Sequence, residues 1–281
     1  MIFNRSGSLG ILLTNGGAQA SFRRGQRAGG FFGTAFLPAA RPLLEPFDPK
    51  RLSGILGLLA ERLPKRARRI DVPVSIGVPD PLFLECAINF KAFPENEDEA
   101  RALVEARVAK EYPNYQGGQV SAFQILANQA DGVTVLIRTM KREVRDALDA
   151  CAHEAGFNLR HLEGYCAFGG ERTENGPVST DVSVRIAPDN WFVECVANDG
   201  KTFFSQAGWM GEWREDASLI LRLIRTFCLV NQIAPVVGIE GDRQCGEYME
   251  ALLCEAGFQT SGNLSDQYLA TLAQRIAQWR L

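Results

Sequence analysis

Apolar residues fill Leu9 to Leu13, a polar turn follows at Asn15-Gly16-Gly17, and a second run reaches Arg23. LGILLTNGGAQASFR therefore reads as a strand-turn-strand hairpin. Gly29 to Phe36 reads as a third strand, and Pro38, Pro42, Pro46 and Pro49 mark an extended loop. Helical spacing then takes over: Leu52, Ile55, Leu56, Leu59 and Leu63 predict a helix over 49–63, stopped by Pro64. Val72 to Val78 and Leu82 to Phe90 read as strands on either side of a Pro-Asp-Pro turn. The acidic run Glu95 to Glu99 suits the positive end of a helix dipole and predicts a helix to about Tyr112, with Ala100, Leu103, Val104 and Val108 on its apolar face. Val120 to Leu126 and Val133 to Thr139 form a strand pair around Asp131-Gly132, followed by a helix over 142–155 closed at Gly156 and a strand over 158–163.

A Gly/Asn-containing linker at 169–176 separates this half from three further strands, over 178–186, 191–197 and 202–206. Asn198-Asp199-Gly200 between the last two is a strong hairpin signal. The period then becomes helical over 215–230, returns to a short strand over 235–239, and closes with helices over 246–256 and 266–280. HEAGFN, from His153 to Asn158, echoes CEAGFQ, from Cys254 to Gln259, which reads as a shared helix-Gly-strand connection.

With 281 residues and 46% hydrophobic side chains, the α/β chain can fill two modest domains or one large one. A net charge of -3 argues against broad binding of a phosphate backbone, so nucleic acid is not an expected partner. Seven cysteines without a CxxC pair suit a reducing compartment and read as small buried hydrophobes; no Cys/His cluster predicts zinc. Even Ala217 to Val237 carries Arg222, Arg225, Asn231 and Gln232, so no membrane span is expected. The first residues lack the pattern of a secretion signal, and a cytoplasmic location is expected. GxSxG, HExxH and GxxxxGK[ST] patterns do not occur, His153 and His161 read as surface or packing residues, and Lys65 to Arg69 reads as a solvated loop.

The first hairpin resembles the first phosphate loop of actin-like ATPases, in which an aspartate just before the turn holds the metal-bound nucleotide. The matching positions here are Leu12, Leu13 and Thr14. More narrowly, the chain resembles the PilM and GspL proteins of type IV pilus and type II secretion assembly, including short MshI-like members. Val74 to Phe168 carries most of this. SIGVPDPLFLECAINFKAFPENEDEARALVEARVAKEYP is similar to that family's strand, second strand, Pro-containing turn, helix and closing Pro. VTVLIRTMKREVRDALDACAHEAGF is similar to its strand, Ala-Pro-Lys type turn and helix ending in Ala-Gly.

The resemblance implies an actin-like (ribonuclease H-like) α/β fold with a first subdomain over 1–80, an inserted βαββα subdomain over 81–168 and a second subdomain over 177–281. Arg185-Ile186-Ala187 falls over the second loop's Asp-Ile-Gly, and the 236–241 stretch over the adenosine-contacting turn. Asn15, Gly16, Gly17, Arg185, Gly238 and Gly241 would then be a vestigial nucleotide set. A magnesium triphosphate needs carboxylates for the metal and phosphoryl transfer needs a group that orients water, so no catalysis, metal or ATP cofactor is expected. By the same resemblance the chain would be a pseudo-ATPase scaffold, cytoplasmic and peripheral at the inner membrane. It would bind the N-terminal cytoplasmic tail of a bitopic inner-membrane protein, contact an assembly ATPase and possess the option of a homodimer. Leu84, Cys86, Ile88, Phe90 and Phe93 would lie near the tail site. The alternative is a genuine ATP-binding member completed by its partner, with Asp181 or Glu240 replacing the lost acids.

Overall fold

The structure is a computed structural model and describes residues 7–23, 31–68, 72–115, 119–129, 132–168, 181–196, 203–233 and 236–278. The expected linker at 169–176 and the Asn198-Asp199-Gly200 turn lie outside the described residues. Strand β1 (Ser8–Thr14) is buried along its whole length, which is why it is an apolar run and not an alternation. It pairs antiparallel with β2 (Gly17–Arg23), with Thr14 opposite Gly17. Within the expected strand over 29–36 the structure forms β3 (Phe31–Gly33) on β2, and just beyond it β4 (Leu37–Pro38), at the start of the expected loop, also pairs with β2. Thr34 divides them: its hydroxyl takes the Ala20 N–H at 3.0 Å while its own N–H reaches the Ala20 carbonyl at 2.9 Å, so a side chain substitutes for part of the ladder.

Helix α1 (Pro49–Arg62) begins where Asp48 accepts from the N–H groups of Lys50 and Arg51 and Pro occupies the first turn. Strand β5 (Pro73–Val78) lies parallel to β1. The chain then makes β6 (Phe83–Phe90), α2 (Glu97–Glu111), β7 (Gln119–Gln129) and β8 (Gly132–Met140), a three-stranded sheet in the order β6-β8-β7 with α2 on one face. Asn96 caps α2 by accepting from Asp98 and Glu99, and the three acids of its first turn meet the helix dipole.

Helix α3 (Arg142–Glu154), strand β9 (Asn158–Gly164) and the one-turn α4 (Tyr165–Phe168) follow. The expected inserted subdomain over 81–168 is too long: β9 adds in parallel to β5, completing a sheet ordered β3-β2-β1-β5-β9, and the 143–168 stretch belongs to the first unit. A second sheet, ordered β12-β11-β10-β13-β14, is built from β10 (Asp181–Ile186), β11 (Asn190–Val196), β12 (Phe203–Trp209), β13 (Val236–Asp242) and β14 (Gln259–Ser265). Helix α5 (Trp213–Asn231) joins β12 to β13, and α6 (Arg243–Glu255) joins β13 to β14.

The last helix, α7 (Tyr268–Gln278), is also reassigned: expected in the second subdomain, it packs on β1 and β2 of the first. Ser8 donates its hydroxyl to the Ala277 carbonyl, and Gly10 lets the helix backbone approach, since a Cβ there would lie 2.3 Å from the Ala277 nitrogen. One compact unit therefore holds β1–β5, β9, α1, α3, α4 and α7, and the other holds both remaining sheets with α2, α5 and α6.

The two five-strand paths have the same connectivity: an antiparallel meander whose first strand is followed, outward, by two parallel strands. The echoed peptides occupy the same joint in each. Gly156 (φ 80°) closes α3 and Gly257 (φ 89°) closes α6. Phe157 donates to the Ala152 carbonyl at 2.9 Å and Phe258 to that of Leu253 at 3.0 Å, the same capping bond in both copies.

Candidate functional site

The β1–β2 turn faces its own chain. Asn15 Oδ1 accepts from the N–H groups of Leu44 and Glu45, both at 2.9 Å, while the Asn15 and Gly16 carbonyls accept from Leu43 and Ala39 at 3.0 and 2.8 Å. Gly17 has φ 155°, and a Cβ there would stand 2.1 Å from the Leu37 carbonyl oxygen. The turn thus receives the 37–45 loop, and the need for Gly17 comes from that close approach. Leu12 and Leu13 are fully buried, and the Thr14 hydroxyl donates to the Gly17 carbonyl at 3.3 Å.

At the carboxyl end of the same parallel sheet stands an acid that sequence reasoning did not single out. Glu163 is buried in β9 beside Gly77 of β5. Two residues on, the Tyr165 hydroxyl donates to the Leu13 carbonyl and ties the end of β9 to the end of β1. The one acid of β9 stands at the strand's end, just before a helix turn, and that position is the signal that could have found it.

In the other unit the β10–β11 turn spans Ala187 to Asn190 and is closed by the Ala187 N–H on the Asn190 carbonyl at 2.9 Å. Arg185, in the position that the resemblance gives to an aspartate, is paired in register with Glu240 of β13, with Nε 3.6 Å from the carboxylate. The two side chains are 12% and 17% exposed, and the guanidinium lies 5.7 Å from the Phe192 ring centroid. Glu240 is therefore already matched by a cation. Asp181 starts β10, at the other end of the strand from the turn, and five residues of strand put it about 16 Å away.

An acid does occupy the turn tip: Asp189, whose carboxylate accepts from the Asn190 side-chain amide at 2.8 Å and whose carbonyl accepts from Met210 at 2.8 Å. Gly241 (φ 149°) pairs with Ile186, and a Cβ on it would lie 2.0 Å from the Ile186 carbonyl oxygen. Gly238 is different. It lies opposite Ser183 in mid-strand, where a Cβ would make only an ordinary 3.7 Å contact.

The residues expected near a partner's tail are largely interior. Cys86, Ile88 and Phe90 point inward with Val135 and Ile137 onto Val104 and Val108 of α2, and this is a correction: alternate residues of β6 face α2, so their side chains form the insertion's own core. Leu84 and Phe93 flank that core, and the Phe93 ring sits edge-on to Phe90 and Phe123 at 5.4 and 5.9 Å. On the β6 edge, Ser205 of β12 donates to the Glu85 carbonyl at 3.3 Å. All seven cysteines are free, and burial pushes the Cys86 thiol up to about 11 and the Cys195 thiol up to about 12. Among the described residues no His, Cys, Asp or Glu cluster is placed to hold a metal, and no helix is long and apolar enough to cross a membrane. Of the basic run, Lys65 is exposed at a 3-10 turn, and Arg69 lies outside the described residues.

No protein-family model matches this chain, and no curated protein matches it by sequence. Solved structures do match it. A chain of the PilM-PilN type IV pilus biogenesis complex is 12% identical, with 98% of each chain covered and a TM-score of 0.72. The cytoplasmic domain of EpsL, an inner-membrane component of the type II secretion system of Vibrio cholerae, is 9% identical over 97% of this chain and 95% of its own, with a TM-score of 0.53. A Bacteroides thetaiotaomicron protein of actin-like ATPase fold is 11% identical over 99% and 98%, with a TM-score of 0.58. The fold is actin-like, as the sequence resemblance implied.

Proposed function

We propose that this protein is an actin-fold docking component of a type IV pilus or type II secretion assembly. It binds the N-terminal cytoplasmic tail of a bitopic inner-membrane protein and works from the cytoplasmic side of the membrane, without hydrolysing ATP. The observation that carries the reading is end-to-end similarity to a chain of the PilM-PilN complex, with 98% of both chains covered. Two local features support the absence of turnover. The positions assigned to the loop acids hold Thr14, bonded to its own turn, and Arg185, balanced by Glu240. A magnesium triphosphate does not fit that set, because a cation stands where a metal-binding carboxylate is needed.

Pull-down with a panel of synthetic N-terminal tails from bitopic assembly proteins, followed by calorimetry, tests the reading. One tail is expected to bind saturably at one per chain; failure of every tail overturns it. Glu163 and Asp189 favour the second reading, a nucleotide-binding member of the same fold, because each is an acid at the end of a sheet strand or turn. Calorimetric titration with Mg-ATP separates the two: heat of binding accompanied by phosphate release selects the second.

A further inference from the structure

The two most exposed large apolar side chains in the described residues are neighbours at one helix end. Leu229 is 78% exposed and Val230 74%, in the last turn of α5, and Val236 is half exposed where β13 begins. They are not an extension of the core. The same helix buries Ala217, Ile220, Ile224, Phe227 and Cys228 on its other side. Gln232 ends α5 in a left-handed conformation, with its N–H on the Leu229 carbonyl and that of Ile233 on the Cys228 carbonyl, so the tip is a well-formed cap and not a frayed end.

Charge says what this tip faces. At helical spacing, Arg222 stands two turns before Leu229 on the same stripe, and Arg225 one turn before it. Both are exposed, and neither guanidinium takes part in an ion pair among the described residues. Between Asp216 and Glu240 the chain has no acidic residue, although the whole protein carries a net charge of -3. Ser218 and Thr226, exposed beside the two arginines, turn their hydroxyls onto the Arg214 and Arg222 carbonyls at 2.8 Å and add no charge, and the one exposed acid on this stripe, Glu215, lies in the first turn of α5, four turns from the tip. An apolar tip backed by unpaired arginines on an acidic protein matches a partner that is anionic at its surface and apolar just beneath it. A protein surface rarely offers both layers; an anionic bilayer does.

We propose that the carboxyl end of α5, with Leu229, Val230, Arg222, Arg225 and Val236, is a membrane-contact site for anionic phospholipid. Leu229 and Val230 enter the headgroup boundary while the two arginines reach lipid phosphates from one and two turns back. Guanidinium groups suit that task because their planar donors match phosphate oxygens in pairs. The site holds one face of the protein to the bilayer by itself, with no tail peptide required.

Vesicle flotation tests this with the full chain and vesicles of phosphatidylglycerol in phosphatidylcholine, against pure phosphatidylcholine. The protein is expected to float with the anionic vesicles alone and to be released at 0.5 M NaCl, where surface charges are screened. Arg222→Gln with Arg225→Gln should weaken partitioning by about 25-fold, at about fivefold for each arginine near such a surface. Leu229→Ser with Val230→Ser should abolish flotation, with circular dichroism confirming the fold, since neither side chain is in the core. Equal flotation of both variants, equal binding to neutral vesicles, or no binding to anionic vesicles overturns the proposal. Loss of tail binding in the arginine variant without any vesicle binding also overturns it and assigns the face to a protein partner. No peptide is present in the flotation, so its outcome is independent of tail docking.

Discussion

Arg185 and Glu240 act as a matched pair, and removing one leaves the other with a partly desolvated charge. A fully buried broken pair costs about 3–5 kcal/mol and an exposed one under about 1 kcal/mol. At 12% and 17% exposure and 3.6 Å, Arg185→Ala is expected to lose about 2 kcal/mol in urea denaturation. Arg185→Asp, which puts a carboxylate where the sequence resemblance expects one, should lose more, because it then faces Glu240. A double-mutant cycle with Glu240→Gln should recover part of the loss, and full additivity would show that the two side chains are uncoupled. The glycines divide in the same way. Gly241→Ala drives a Cβ to 2.0 Å from a carbonyl oxygen and should cost more than about 3 kcal/mol, whereas Gly238→Ala should stay within about 1 kcal/mol. The buried thiols give a pH signature. The Cys86 and Cys195 thiols ionise near 9 when unfolded but only at about 11 and about 12 in the fold, so the unfolded chain releases protons first. Their contribution is complete below pH 9 and is lost as pH climbs toward 11 and 12. Cys195→Ala should flatten the fall of the denaturation midpoint above pH 9.

The helix caps show how far local pattern reaches. HEAGFN and CEAGFQ were legible as two helix-Gly-strand joints because a left-handed residue after a helix is a property of a few neighbouring positions. Nothing contacts a Cβ at Gly156 or Gly257, so each Gly→Ala change costs only backbone strain, about 1 kcal/mol, and because the two glycines lie in different compact units the double variant should lose about 2 kcal/mol by thermal or urea melts. Most helices and strands were legible on the same basis, including α1 with its Asp48 cap and α2 with its acidic first turn. What was not legible is pairing across long sequence separations. β9 could be read as a strand, but not as the neighbour of β5, and α7 as a helix, but not as the cover of β1 and β2. Both corrections to the subdomain boundaries come from this. The site shows the same limit: the turns were found in sequence, but the ion partner of Arg185 lies 55 positions further along, and the inward direction of Cys86, Ile88 and Phe90 depends on where α2 packs.

At the scale of the whole molecule, ligand linkage decides between docking and nucleotide use. A protein that binds Mg-ATP in its folded form gains about 2.7 kcal/mol at a ligand concentration 100 times its Kd. For a chain of this size that gain raises Tm by about 5 °C. If the turn at Asn15 serves the 37–45 loop and Arg185 serves Glu240, neither is free to answer a triphosphate, and millimolar Mg-ATP should leave Tm within about 1 °C of the unliganded value. The cognate tail peptide at the same multiple of its own Kd should produce the full rise. Because both ligands are read on one protein by one melt, a flat response to nucleotide is meaningful only beside a response to the tail. A shift of several degrees with Mg-ATP alone would favour the nucleotide-binding reading, with Glu163 and Asp189, each in its own unit, as the acids to test next.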